Sequence, residues 1–192
     1  MKVALIPCGL TEWQQEGRLL GRVELEASPQ TDQRIGQWIE RLRTVELEKI
    51  LSATDELSRA TARRIGRELG VGVKPLEALA EIDLGLWAGL TESELKKRYA
   101  SAYRQLLESP LMVRPPQGEE FSAAVERMRQ CLRRRIKANG KGLGLVLRPI
   151  GHAIARQVLE GLSIETIWPR KIGESELLIV ECAGIEELVA ET

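Results

Sequence analysis

The stretch LIPCGLTEWQQEGRLLG, residues 5–21, places a cysteine where chemistry is commonly done. A short apolar run, Val3 to Ile6, reads as a buried strand and stops in Pro7, Cys8 and Gly9. A residue just past a strand of an α/β sheet faces the crevice where such sheets bind ligands. A thiol there is a nucleophile only as the thiolate, which needs cations or a helix N-terminus beside it. Pro7 supplies no charge. The plainer reading of Cys8 is a buried, unreactive thiol at a strand end. The chain has a single histidine, His152, so any imidazole chemistry rests on that residue. The three cysteines (Cys8, Cys131, Cys182) are odd in number, far apart and free of any CxxC spacing. That pattern speaks against a disulfide framework or a zinc site and suits a reducing cytoplasm, so neither metal nor cofactor is expected.

The elements that must position these residues alternate between strand and helix. Glu48 to Ser52 is a second strand, Leu143 to Leu147 a third and Leu177 to Cys182 a last one. Ile35, Trp38, Ile39 and Leu42 fall on one helical face, as do Leu57, Thr61, Ile65 and Leu69, with Gly70 as the stop. Thr91 and Glu94 form a capping box stapled by Leu90 and Leu95. One helix is expected from there through Tyr99, Ala102 and Leu106. Phe121, Val125, Met128, Leu132 and Ile136 mark another, ended by Asn139-Gly140, and Ala153 to Leu162 a further one. Ser109 to Gly118, with three prolines, reads as a loop inside the domain. The alternation predicts a three-layer α/β/α fold with a mostly parallel central sheet, as one domain over residues 1–192. Trp38 and Trp87 read as core, while Trp13 and Trp168 are open.

Of the 192 residues 43% are hydrophobic and 29% charged, the balance of a globular chain. Lys and Arg together number 28 and so do Asp and Glu, which gives no electrostatic case for nucleic acid or anionic membrane. The run Arg133, Arg134, Arg135 and Lys137 has no interleaved aromatics and reads as a solvated helix face. No apolar run nears the roughly 20 residues that span a bilayer, and Met1-Lys2 leads straight into a strand rather than a signal peptide.

Several spaced motifs together resemble the histidine phosphatase superfamily, also called phosphoglycerate mutase-like. Gly9, Thr11, Glu12, Trp13, Gly17, Arg18 and Gly21 fit the frame that follows its first strand. LAEIDLGLWAGLT fits its central segment, with Glu81 at the place of the acidic catalyst, and PPQGEEF fits the loop and helix start that follow. The resemblance implies that fold and a chemistry of two histidines, two arginines and a glutamate. One histidine carries the phosphoryl group, the cations hold the phosphate, and the acid serves the leaving oxygen. Laid on that pattern without gaps, the first arginine falls on Pro7, the nucleophile on Cys8, the second arginine on Leu57 and the second histidine on Ile150. Only Glu81 is kept.

Losing a nucleophile can cost on the order of 10⁶ in rate, and losing one charge-stabilising donor roughly 10² to 10³. The resemblance therefore implies a pseudoenzyme kept for a small anionic or phosphorylated ligand, a protein partner or self-association. Two alternatives stand beside it. One is an active phosphatase or mutase with displaced chemistry through Cys8, or through His152 and Arg148. The other is a regulatory subunit paired with an active homologue. The candidate binding residues are Cys8, Arg18, Glu81, Arg148 and His152. Arg148 either restores positive charge to the pocket or reaches solvent from a strand end. His152 either faces the pocket or faces solvent from a helix start. Arg59 lies near the second arginine's place, and Asp55 and Glu56 are first-turn acids that add negative charge there.

Overall fold

The computed structural model describes residues 1–136, 140–162 and 175–182. Asn139, Lys137 and Trp168, on which some expectations fall, lie outside them. Five strands form one sheet: β1 (Lys2–Pro7), β2 (Leu47–Ser52), β3 (Gly72–Pro75), β4 (Gly142–Leu147) and β5 (Leu178–Glu181). Their order is β3-β2-β4-β1-β5. β5 pairs antiparallel with β1, and every other pairing is parallel. β1 and β4 are buried along almost their whole length, as central strands covered on both faces must be.

Alternate residues of the strands feed two separate cores. Val3, Leu5, Leu51, Leu143 and Leu145 pack with Phe121, Met128, Leu132 and Ile154. Ala4, Ile6, Ile50 and Val146 pack on the other face with Ile35, Trp38, Leu42 and Ile65. The expected three layers are therefore present, with α2 (Thr31–Leu42) and α3 (Glu56–Leu69) on one side of the sheet. On the other lie α6 (Phe121–Arg133) and α7 (Pro149–Glu160). A short α1 (Glu12–Gln15) follows β1, and α4 (Glu92–Arg98) and α5 (Ala100–Glu108) lie between the two halves of the chain.

Three expectations shift. The helix opened by the Thr91–Glu94 capping box breaks at Tyr99, whose φ of −131° and ψ of 47° are not helical, and α5 begins anew. Tyr99 instead sets its ring 6.0 Å from that of the buried Trp87. α7 starts at Pro149, four residues early, because a proline at the first helical position gives up an N–H that would have no partner there. β3 carried no usable pattern, being a four-residue edge strand with Lys74 and Pro75, residues that blunt sheet edges.

Candidate functional site

The loop leaving β1 is tied down at each step. The Cys8 amide donates to the Leu147 carbonyl at 2.8 Å, continuing the β1–β4 ladder by one bond. The Gly9 amide donates to Thr61 Oγ1 at 3.1 Å, and the Leu10 amide to Thr31 Oγ1 at 2.9 Å. A Cβ on Gly9 would lie 2.6 Å from Thr31 Cγ2 and 2.9 Å from Leu57 Cδ1, so a side chain there would force both neighbours to shift. Cys8 is 2% exposed and its core includes Leu57, Ile6 and Ala4. Burial first, and then the Asp55 carboxylate, push its thiol up to about 12, with Arg148 opposing. A thiol in that setting is neutral at ordinary pH.

Glu81 lies in an irregular segment after the 3₁₀ turn Glu77–Leu79, and it is 3% exposed. Its carboxylate accepts from the Ile150 amide at 2.9 Å, the Gly151 amide at 2.8 Å and its neighbour Ile82 at 2.9 Å. Two of those donors belong to the first turn of α7, whose positive dipole end and unpaired N–H groups receive an anion. The residue at the place of the family's acid caps a helix. Burial raises its pKa against the opposing pull of the three amides and Arg148.

Arg148, between β4 and α7, does not reach solvent. It is 1% exposed. Its Nε meets Asp55 Oδ1 at 3.1 Å, and its Nη1 donates to the carbonyls of Gly21 at 2.9 Å and Val23 at 2.8 Å. Asp55 also caps α3 by accepting from the Ser58 amide. A buried arginine is held by such pairing and by its many donors. Cys8, Asp55, Glu81 and Arg148 thus gather at the carboxyl ends of β1, β2 and β4, with two carboxyl groups facing one guanidinium.

Several expected residues stay apart. Arg18 pairs with Glu16 at 2.6 Å and Glu94 at 3.6 Å and donates to the Gly89 carbonyl, which fastens the β1 loop to the start of α4. His152 does not face solvent: it is 5% exposed, with its ring set against backbone of Leu5 and Glu176. Burial drives it down to about 4. Arg59 is half exposed and pairs with Glu56 at 3.8 Å. Leu57 and Ile150 are both buried but belong to the cores on opposite faces of the sheet, so they form no common apolar wall. Pro7, also buried, ends β1 opposite Leu147. In the basic run, α6 ends at Arg133, Arg134 is exposed, and Arg135 donates to the Cys131 carbonyl. Arg135 also lines a cleft of about 60 Å³ with Lys49, Lys141 and Glu48 at the other end of the sheet.

A second layer holds Glu81 in place. Arg127 donates to the carbonyls of Ala78, Ala80 and Glu81 and clasps Glu119 at 2.7 and 2.9 Å. Arg22 donates to the Glu81 carbonyl at 2.8 Å and to Glu119 at 3.2 Å. Burial works against the Glu119 charge, yet Arg127, the Asp83 amide and Arg22 outweigh it and hold the carboxyl below its usual range. Sequence reasoning missed Arg22, Glu119 and Arg127 as supports and Asp55 as the partner of Arg148. Only Asp55 left a trace, as an acid three residues ahead of Ser58 at a helix start. Among the described residues no group of three or more His, Cys, Asp or Glu could hold a metal ion.

The family model of the histidine phosphatase superfamily, branch 1, matches residues 3–190. The chain belongs to this superfamily. Phosphoserine phosphatase 1 of Hydrogenobacter thermophilus is 24% identical over 67% of this chain and 61% of its own length. A Klebsiella pneumoniae protein named "Probable phosphoglycerate mutase GpmB" is 28% identical over 69% of this chain and 61% of its own. The chain thus spans about three fifths of the curated relatives it matches. Among solved structures, Bacillus stearothermophilus YhfR superposes with a TM-score of 0.77 at 22% identity, over 94% of this chain and 90% of that one. This likeness shows a shared phosphoglycerate mutase-like fold. In this histidine phosphatase family member the described residues include one histidine, and its ring lies against the backbone of Leu5 in β1 and of Glu176. No described helix is long and apolar enough to cross a membrane.

Proposed function

We propose that this superfamily member has given up phosphoryl transfer and keeps the fold for binding, of a small ligand or of a protein partner. The observation that carries this reading is Cys8. At the nucleophile's place stands a thiol held neutral, with a pKa near 12, 2% exposed and backed by a proline. Nucleophilic chemistry there would need a thiolate that the surroundings oppose. Glu81 supports the same reading, since its two oxygens are engaged with three backbone amides. Arg148 supports it as well, being taken up by Asp55 and two carbonyls. Two carboxyl groups beside one guanidinium also disfavour a phosphate dianion at this spot. Three buried cysteines, far apart in the sequence, suit a reducing, cytoplasmic setting.

The test is turnover. Purified protein is assayed against phosphoserine, phosphoglycerates, sugar phosphates and nucleotides, with release of inorganic phosphate as the readout. The expected result is no release above buffer. Release that disappears in Cys8→Ser or Glu81→Gln would overturn the proposal.

A further inference from the structure

The segment Arg22 to Ala27 crosses the carboxyl end of the sheet without helix or strand. Its two ends are fixed. Gly21 is buried at φ +55°, where a Cβ would lie 3.2 Å from Leu84 Cβ, and the Ser28 amide donates to the Leu10 carbonyl at 2.7 Å. Between those anchors every residue is exposed except Leu25, which is half-buried. The middle of the segment therefore has little apolar burial to hold it down.

What holds it is polar and unequal. At the rim, Glu24 accepts from the Glu56 amide at 3.2 Å, an exposed contact, and Arg22 reaches Glu77 at 3.7 Å, the Glu81 carbonyl and Glu119. Exposed contacts of this kind contribute little. Beneath, Arg148 bonds the Gly21 and Val23 carbonyls from inside the fold. Under the segment, Arg148 Nε and Nη2 and Asp55 Oδ2 are buried with no hydrogen-bond partner among the described residues, Nε meeting Asp55 as an ion pair alone.

We infer that residues 22–27 form a strap that lifts as a unit while the rest of the fold stays intact, with Arg148 as its latch. Lifting the strap uncovers the Arg148–Asp55 pair. Segments with exposed backbone and few buried contacts open at a lower free energy than the core strands. The inference concerns motion rather than turnover, so the assay above can fail without touching it.

Exchange of the Arg148 Nε–H with solvent tests it directly. The full chain is labelled with ¹⁵N-arginine, and the Arg148 signal is identified by its loss in Arg148→Lys. Exchange is then followed at rising low concentrations of urea. The expected result is exchange faster than global unfolding allows and nearly independent of urea. In Glu24→Ala, which removes the exposed rim tie and leaves Arg22 on the Glu81 carbonyl, exchange should rise about three- to tenfold while the unfolding midpoint of β1 and β4 amides holds. The strap is refuted if the proton exchanges only through global unfolding. It is refuted equally if sub-global exchange does not respond to the rim variant, because the opening then lies elsewhere.

Discussion

The Arg148 guanidinium meets the Asp55 carboxylate at 3.1 Å, with the arginine side chain fully buried and the aspartate 10% exposed. This pair joins the end of β4 to the first turn of α3. Breaking a buried pair from one side leaves a charge without compensation, which costs about 3–5 kcal/mol. Arg148→Met is expected to lose that much in urea unfolding. Arg148→Met/Asp55→Asn should recover at least about 1 kcal/mol of it, and strictly additive losses would show that the pair is not coupled.

Glu81 is expected to behave as a structural cap. Glu81→Ala leaves the Ile82, Ile150 and Gly151 amides buried without their acceptor, a loss of about 2–4 kcal/mol. Glu81→Gln keeps one acceptor oxygen but turns an NH₂ toward a donor, and should cost about 1–2 kcal/mol. Unfolding curves of the two variants, with far-UV circular dichroism on α7 content, check the order. Wild-type stability in Glu81→Ala would contradict the capping geometry.

Cys8 should be inert in the folded protein. A thiol at about 12 is ionised to about 1 part in 10⁴ at pH 8. With iodoacetamide and peptide mapping, Cys8 is expected to react only under denaturing conditions, together with Cys131 and Cys182, which are also buried. Rapid native alkylation of Cys8 would revive it as a nucleophile.

His152 makes stability depend on pH. Burial lowers its pKa from 6.5 to about 4, so between those values the unfolded chain binds the proton and the folded one does not. Stability is then full above pH 6.5 and falls as pH drops toward 4, by about 3 kcal/mol in all. Glu119, held low, adds to the loss on acidification, and Glu81, raised by burial, acts the other way. Because His152 is the only histidine, its ring proton resonances report one titration. A midpoint near 6.5 in the folded state would show an exposed ring.

Four of the five strands and most of the amphipathic helices were legible because each is written in local periodicity, whereas the edge strand β3 and the break at Tyr99 were not. Val3 to Ile6 and Leu143 to Leu147 could be little else. The site was legible only as far as position along the chain carries information. Cys8 at the strand tip and Glu81 in its motif were found that way. Where a side chain turns is decided by partners far away in sequence. Arg148 is drawn inward by Asp55, Gly21 and Val23, between 93 and 127 residues away, and no local pattern announces that. His152 looked equally like a pocket or a solvent residue because four helical residues ahead of Ala153 were not foreseen. With α7 beginning at Pro149, position 152 points to β1.

The closeness of Gly9 to Thr31 and Leu57 has a bearing on what the two positions before it can hold. Cys8 is 2% exposed within its core, and overfilling a packed core strains it by about 1–3 kcal/mol. Writing Arg-His back over Pro7 and Cys8 would also bury a second cation beside Arg148. On the proposed reading, Leu57, Asp55 and Arg148 stand around these two positions as neighbours, and substitutions at 7 and 8 alone would not install the family pattern.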